Sequence, residues 1–293
     1  MHEIKNMLYN KSNWNGLLLQ WDKYTFPFRP SKGDIRNYSL FLKQFEKKKK
    51  VLLLGSTPEI RKILSKFDSS IIVADFSFKM ISGMLFFDKL IHETKEKWIK
   101  TDWMVLDEFL KNNYFDVIVG DLFLRNIDSE LQFECSKKIS KLLKKDGYLV
   151  TRIHFLNEKF VKLNSVEIIK SVFKNYFNLE NKLIEDLITS RLFDKNTDFD
   201  NKIVNKKAFT SDIKKYIKKD IKNKREGLIL NNILKKWSAP GNHSQRTWTQ
   251  RNEKELKNLL SKNFTLCDTK IASDYKDSEF YPIYVLKNNK NKK

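Results

Sequence analysis

The chain has 293 residues, 41% of them hydrophobic and 13% aromatic, and a formal net charge of +21. Its 22 Phe, 10 Tyr and 6 Trp need a core to sit in, which excludes ordinary disorder, and the length allows one generous domain or a core with a helical subdomain. Only 9 of its 57 basic residues are Arg, so the charge reads first as a solvated lysine surface and second as a nucleic-acid groove, which favours arginine.

Cys135 and Cys267 stand far apart with no partners at metal-ligand spacing, which argues against a disulfide framework and a zinc site. Met1 to Gly16 holds no apolar run of the secretory kind. The most apolar stretch, Met80–Phe87, is too short to cross a bilayer. A cytoplasmic location is the expectation, and the oligomeric state is open.

Up to about Lys50 the chain is aromatic, with Trp14, Trp21, Tyr24, Phe26 and Phe28 beside Pro27 and Pro30. It closes on an expected helix, Asp34–Phe45, where Ile35, Tyr38, Leu42 and Phe45 recur at helical spacing. Strands and helices then alternate. Val51–Gly55, Ile71–Asp75, Trp98–Thr101, Phe115–Gly120 and Tyr148–Ile153 read as strands; Glu59–Lys66, Lys79–His92 and Ser129–Leu143 read as helices between them. Such β-α repetition implies a parallel sheet covered on both faces.

From Phe155 to Gly241 the periodicity is helical. Ile213, Ile217 and Ile221 share one face of a lysine-rich helix, Ser211–Arg225, whose other face is read as solvated, with an anionic partner as the second reading. A helix over Trp248–Lys262 and strands over Phe264–Ile271 and Tyr281–Lys287 complete the chain. The fold expected is a Rossmann-like, doubly wound α/β sheet of seven strands, mostly parallel with an antiparallel C-terminal strand, plus a helical insertion. Its parts are an aromatic cap segment (1–50), a core (51–154 and 246–287) and the insertion (155–245).

The informative stretch is V-L-L-L-G-S-T-P-E-I, Val51 to Ile60: a buried strand, a turn at Gly55, Ser56 and Thr57, and a helix with Pro58 at its first position and Thr57 able to cap it. A P-loop is absent, and so is the three-glycine dinucleotide fingerprint, so the ligand lacks a pyrophosphate. Twenty residues on, Asp75 ends the second strand in I-I-V-A-D-F-S, where a carboxylate can accept from both hydroxyls of a ribose. A nucleoside without phosphates points to S-adenosylmethionine (SAM).

With these residues the chain resembles the class I SAM-dependent methyltransferases, over about Val51–Ile153 and Trp248–Lys287. The first motif with T-P-E, the following D-F-S-F-K-M, and Trp21 with F-P-F-R-P-S-K-G-D-I look like a small-molecule or natural-product subgroup. The resemblance implies a cofactor site in which Gly55, Ser56 and Thr57 lie against the amino-acid part of SAM. Asp75 would bind the ribose, Phe76, Ser77 and Met80 would lie at the adenosine, and Asp102 and Trp103 of T-D-W would follow strand three near the adenine. Asp121, ending F-D-V-I-V-G-D, would sit beside the methionine moiety.

Methyl transfer is an in-line displacement, so positioning can supply much of the acceleration and a general base is needed only if the acceptor must lose a proton. His154, after the fifth strand, is the candidate base, with Asp121 a second catalytic candidate; each can equally be an ordinary strand-end residue. Arg29, between Pro27 and Pro30, could clamp a carboxylate, and Trp21 and Tyr24 could form a lid or merely pack. The loop Ser238–Trp248 offers His243 and Arg246. The acceptor expected is a small molecule methylated on N or O. The alternative is an RNA docked on the basic insertion, although G-D-L-F stands where a base-amino methylase would carry N-P-P-[YF].

Overall fold

The computed structural model describes residue 18 and residues 21–87, 95–238 and 248–289. It divides into two compact units, Pro30–His154 with Glu253–Lys293, and Met1–Arg29 with Phe155–Asn252. The first boundary therefore falls at Arg29, not near Lys50. The reason is burial: the helix Lys32–Leu42 places Tyr38 and Leu42, both fully buried, in the same core as Val51, Leu53 and Ile71.

The strands in chain order are β1 (Lys47–Leu54), β2 (Asp68–Asp75), β3 (Glu96–Lys100), β4 (Phe115–Asp121), β5 (Leu143–Arg152), β6 (Thr197–Asp198), β7 (Ile203–Val204), β8 (Phe264–Lys270) and β9 (Ile283–Asn288). Seven of them form one sheet in the order β3-β2-β1-β4-β5-β9-β8. The first five are mutually parallel, while β9 is antiparallel to both β5 and β8. This is the sheet expected from the sequence. Val51, Leu52, Leu53 and Leu54 are buried on both sides of β1, each worth about 1.5–3 kcal/mol relative to exposure.

Besides Lys32–Leu42, the helices in this unit are Pro58–Leu64, Phe78–Gly83, Leu106–Phe109, Gln132–Leu142 and Glu253–Ser261. The expected Lys79–His92 helix tightens into a 3-10 turn at Met84–Phe87, and its remainder lies outside the described residues. The helix expected from Trp248 begins only at Glu253, because Thr249 and Arg251 form bridges with Ile203 and Phe155 instead.

The second unit is a helical bundle built on Asn181–Lys195, which is buried almost continuously from Ile184 to Asp194. Around it pack Glu158–Lys162, Ser165–Tyr176, Lys206–Lys219 and Lys224–Ser238. The inward face of Lys206–Lys219 is Phe209, Ile213 and Tyr216; Ile217 is half-buried, and Ile221 is exposed because the helix has already ended at Lys219. Thr25 is bolted into this unit, its N–H and hydroxyl both donating to the buried Asp186 (2.6 and 2.9 Å), which also accepts from Lys236 Nζ at 2.8 Å. Among the described residues, no helix is long and apolar enough to cross a membrane.

Candidate ligand site at the carboxyl edge of the sheet

Between β1 and β4 the strand order reverses. Chains leaving these two strands turn to opposite faces, and the crevice this opens is where open α/β sheets bind ligands. Register makes the edge level: Leu54 pairs with Ala74 and with Gly120, Ala74 with Ile99, and Gly120 with Thr151. One step further along stand Gly55, Asp75, Asp121 and Arg152.

Gly55 adopts φ +86°, a conformation that residues with a Cβ rarely take. Its N–H donates to the Ala74 carbonyl at 2.9 Å, and the same oxygen accepts the Trp103 indole N–H at 3.0 Å. One acceptor thus ties together the ends of β1 and β2 and the turn after β3. A Cβ on Gly55 would meet only Cζ2 of Trp103 within 4 Å, at 3.7 Å, so open backbone faces that space.

Asp75 is buried and held from two sides. Ser56 Oγ donates to its Oδ2 at 2.9 Å, and the Ser77 N–H donates to its Oδ1 at 2.8 Å. A carboxylate offers about four acceptor sites. Ser77 Oγ in turn caps the helix Phe78–Gly83 by accepting from the Met80 N–H. Phe76 is half-buried beside Asp75, and Met80 is buried. The structure therefore brings Gly55, Ser56, Asp75, Ser77 and Trp103 into one cluster.

Two neighbours differ from expectation. Thr57 occupies the N-cap position before Pro58, but its hydroxyl makes no capping bond; the Ile60 N–H turns to the Thr57 carbonyl instead, at 3.2 Å. Asp102 closes its own turn, Oδ1 accepting from the Met104 N–H at 3.0 Å.

Asp121 departs further. Arg152 donates to both of its oxygens, Nε to Oδ1 at 2.8 Å and Nη2 to Oδ2 at 2.9 Å, and the Tyr38 hydroxyl adds a third bond to Oδ1 at 3.1 Å. A carboxylate committed in this way is an anchor, and the catalytic role expected for it does not fit. Arg152 itself is fully buried and also reaches Asp34 Oδ2 through Nη1 at 3.0 Å, while its N–H donates to the Tyr38 oxygen at 2.8 Å. Burial alone would pull the guanidinium down, but Asp121 and Asp34 outweigh it and hold it well above its ordinary value. Burial raises the Asp34 carboxyl, with Arg152 pulling the other way, and drives the Tyr38 phenol well up. Sequence reasoning does not single out Arg152, Asp34 or Tyr38; the signal present is an arginine inside the apolar strand Y-L-V-T-R-I.

His154 lies just beyond β5, buried, with its ring stacked on Tyr281 at 4.4 Å between centroids. Burial, and then the Arg125 and Arg152 guanidiniums, push its imidazole well below the usual value. It is a neutral ring at pH 7, and a base so weakened is poorly matched to proton removal near neutrality.

The residues expected at the acceptor belong to the helical unit. Trp21 and Tyr24 are buried there, Tyr24 packing edge-on against Phe28 and Trp237 in a cluster that includes Phe193 and Trp248. Their aromatic surface therefore builds a core, which is the packing alternative to a lid. Arg29 donates to the Trp21 carbonyl at 3.2 Å and lies 5.2 Å over its ring. Trp14, His243 and Arg246 lie outside the described residues. Among the described residues, no cluster of three or more His, Cys, Asp or Glu could hold a metal ion.

No protein-family model and no curated protein sequence matches this chain. Among solved structures it is similar to a putative zinc-dependent alcohol dehydrogenase from Rhodobacter sphaeroides, at 15% identity over 95% of this chain and 97% of that one, with a TM-score of 0.55. What is shared is the fold. Similar structures also include the N-methyltransferase NodS from Bradyrhizobium japonicum WM9 in complex with S-adenosylhomocysteine (SAH), at 10% identity over 90% of this chain and 91% of that one, TM-score 0.48. A third is the 1,6-didemethyltoxoflavin-N1-methyltransferase of Burkholderia thailandensis, with its acceptor and SAH bound, at 13% identity over 87% and 77% of the two chains, TM-score 0.47. At these two scores neither bears on the ligand of this chain.

Proposed function

We propose that this chain is a SAM-dependent methyltransferase acting on the nitrogen or oxygen of a small molecule. The observation that carries the reading is the Asp75 carboxylate, buried at the carboxyl edge and fixed by Ser56 and Ser77, beside the open backbone of Gly55. Asp75 is placed to accept from a ribose, and a turn with a single glycine offers no nest for a diphosphate. Bound there, SAM would supply an electrophilic methyl carbon on a sulfonium. The chain's part is then to hold the nucleoside and exclude water, with Trp103 and Phe76 offering apolar surface to the adenosine.

Titration calorimetry with SAH tests this. The wild-type chain should bind SAH and not NAD. Asp75→Ala should weaken SAH by about 2–3 kcal/mol, the scale of hydrogen bonds to a charged group. Unchanged SAH affinity in a folded D75A protein, or tighter binding of NAD than of SAH, overturns the assignment.

A further inference from the structure

In the helical unit, Arg225 works as a rivet. Its Nη1 and Nη2 donate to the carbonyls of Phe177 (2.6 Å) and Leu179 (2.7 Å), its Nε donates to Asn181 Oδ1 (2.9 Å), and its guanidinium lies 4.5 Å over the Phe177 ring. Apolar side chains at and near the rivet stay partly exposed among the described residues: Phe177 is 37% exposed, Leu179 36%, Ile221 39% and Leu228 53%. Leu228 stands one helical turn from Arg225, and Ile221 approaches Gly227 so closely that a Cβ there would lie 2.8 Å from its Cδ1.

The segment that carries Ile221 is rich in lysine. Lys214, Lys215, Lys218, Lys219, Lys222 and Lys224 are all exposed, and the one acid between Lys214 and Lys224, Asp220, is paired with Lys170 at 2.7 Å. Exposed aliphatic side chains next to exposed lysines along the same segment, Ile221 between Lys219 and Lys222 and Leu228 one helical turn from Lys224, fit a surface that is apolar just below a layer of negative charge. Nucleic acid fits less well. Phosphates gain nothing from Leu179, Ile221 or Leu228, and the one aromatic of the cluster has a face covered by Arg225, which leaves no platform for stacking bases. We infer that this face of the helical unit docks on the anionic headgroups of a lipid bilayer, with Ile221 and Leu228 entering the interface.

The inference is independent of the ligand proposed for the sheet, and co-sedimentation of the full chain with sucrose-loaded vesicles tests it. Vesicles of equal phosphatidylglycerol and phosphatidylcholine should bind the protein, and phosphatidylcholine alone should not. The triple variant K218E/K219E/K222E should lose about a hundredfold or more in partitioning, taking roughly fivefold per lysine near the surface. Leu228→Gln should weaken binding several-fold while leaving its charge unchanged. Far-UV circular dichroism and the urea midpoint should stay at the wild-type values in both variants, which shows that they fold whatever ligand the sheet binds. Failure to sediment with anionic vesicles, equal binding to both lipid mixtures, or a triple variant that binds like wild type overturns the inference. So does displacement of the protein from vesicles by mixed-sequence RNA at equal phosphate concentration, which would make the face an RNA surface.

Discussion

Arg152 holds Asp121 by both carboxylate oxygens, at 2.8 and 2.9 Å, with the guanidinium fully buried and the Asp121 side chain 4% exposed. Removing one member of such a pair strands the other charge away from water. Asp121→Ala should therefore destabilise the protein by about 3–5 kcal/mol. Urea unfolding should show this as a lower midpoint at nearly constant slope. A D121A protein as stable as wild type but inactive would restore the catalytic role instead.

At Gly55 the cost of a side chain is conformational. Its φ of +86° is the difficulty, because the added Cβ would meet Trp103 only at an ordinary contact distance of 3.7 Å. Gly55→Ala should cost about 1–2 kcal/mol in thermal or urea unfolding. A cost above about 3 kcal/mol would instead place a steric clash at that turn.

Titration of His154 gives a signed expectation. Its folded value is pushed well below the ordinary 6.5 of a free imidazole, so above that pH the ring is largely neutral in both folded and unfolded chains. As the pH falls below it, only the unfolded chain takes up the proton, and stability falls with it. The loss should be roughly 1 kcal/mol between about pH 6.5 and 5.5. His154→Phe can keep a ring against Tyr281 while deleting the titration, so the difference in stability between wild type and variant should shrink or grow with pH by that amount. Asp34 runs the other way, because its raised value makes stability fall as pH rises through it, and it is common to both proteins. A pH-independent difference between the two proteins would show that His154 is not held neutral.

Asp186 carries the attachment of the N-terminal segment to the helical unit. Asp186→Ala strips both bonds from Thr25 and leaves the buried Lys236 with Glu185 at 3.6 Å. Because that second acid remains, the cost should sit near the low end for a broken buried pair, about 3 kcal/mol. Limited proteolysis should then cut more readily around residues 22–29. If the pattern of cleavage is unchanged, Asp186 does not anchor the segment.

Much of the sheet was legible from the chain. The apolar runs V-L-L-L and I-I-V-A read as buried parallel strands, and the turn at Gly55 and the carboxylate of Asp75 follow from their ends. Boundaries were less legible. The lysines Lys47–Lys50 open β1 although they look like a solvated tetrad, because strand pairing with β2 continues past the apolar core. Residues 249 and 251 pair with other backbone segments where helical periodicity suggested a helix, since bridging partners far along the chain leave no local mark.

Sequence alone determined the order of the seven strands of the large sheet, the single-glycine turn and the acid twenty residues beyond it, because backbone conformation and burial period are written locally in residue type. Only the tertiary structure decided what the polar groups at the edge touch. Asp121, a candidate ligand contact, is spent on Arg152; Trp21 and Tyr24, which the sequence left between a lid and packing, are spent on packing; His154, which it left between a base and an ordinary strand-end residue, is held neutral by burial and two guanidiniums. A charge's role depends on the partner within about 4 Å, and those partners come from residues as distant in sequence as Asp34 and Arg152.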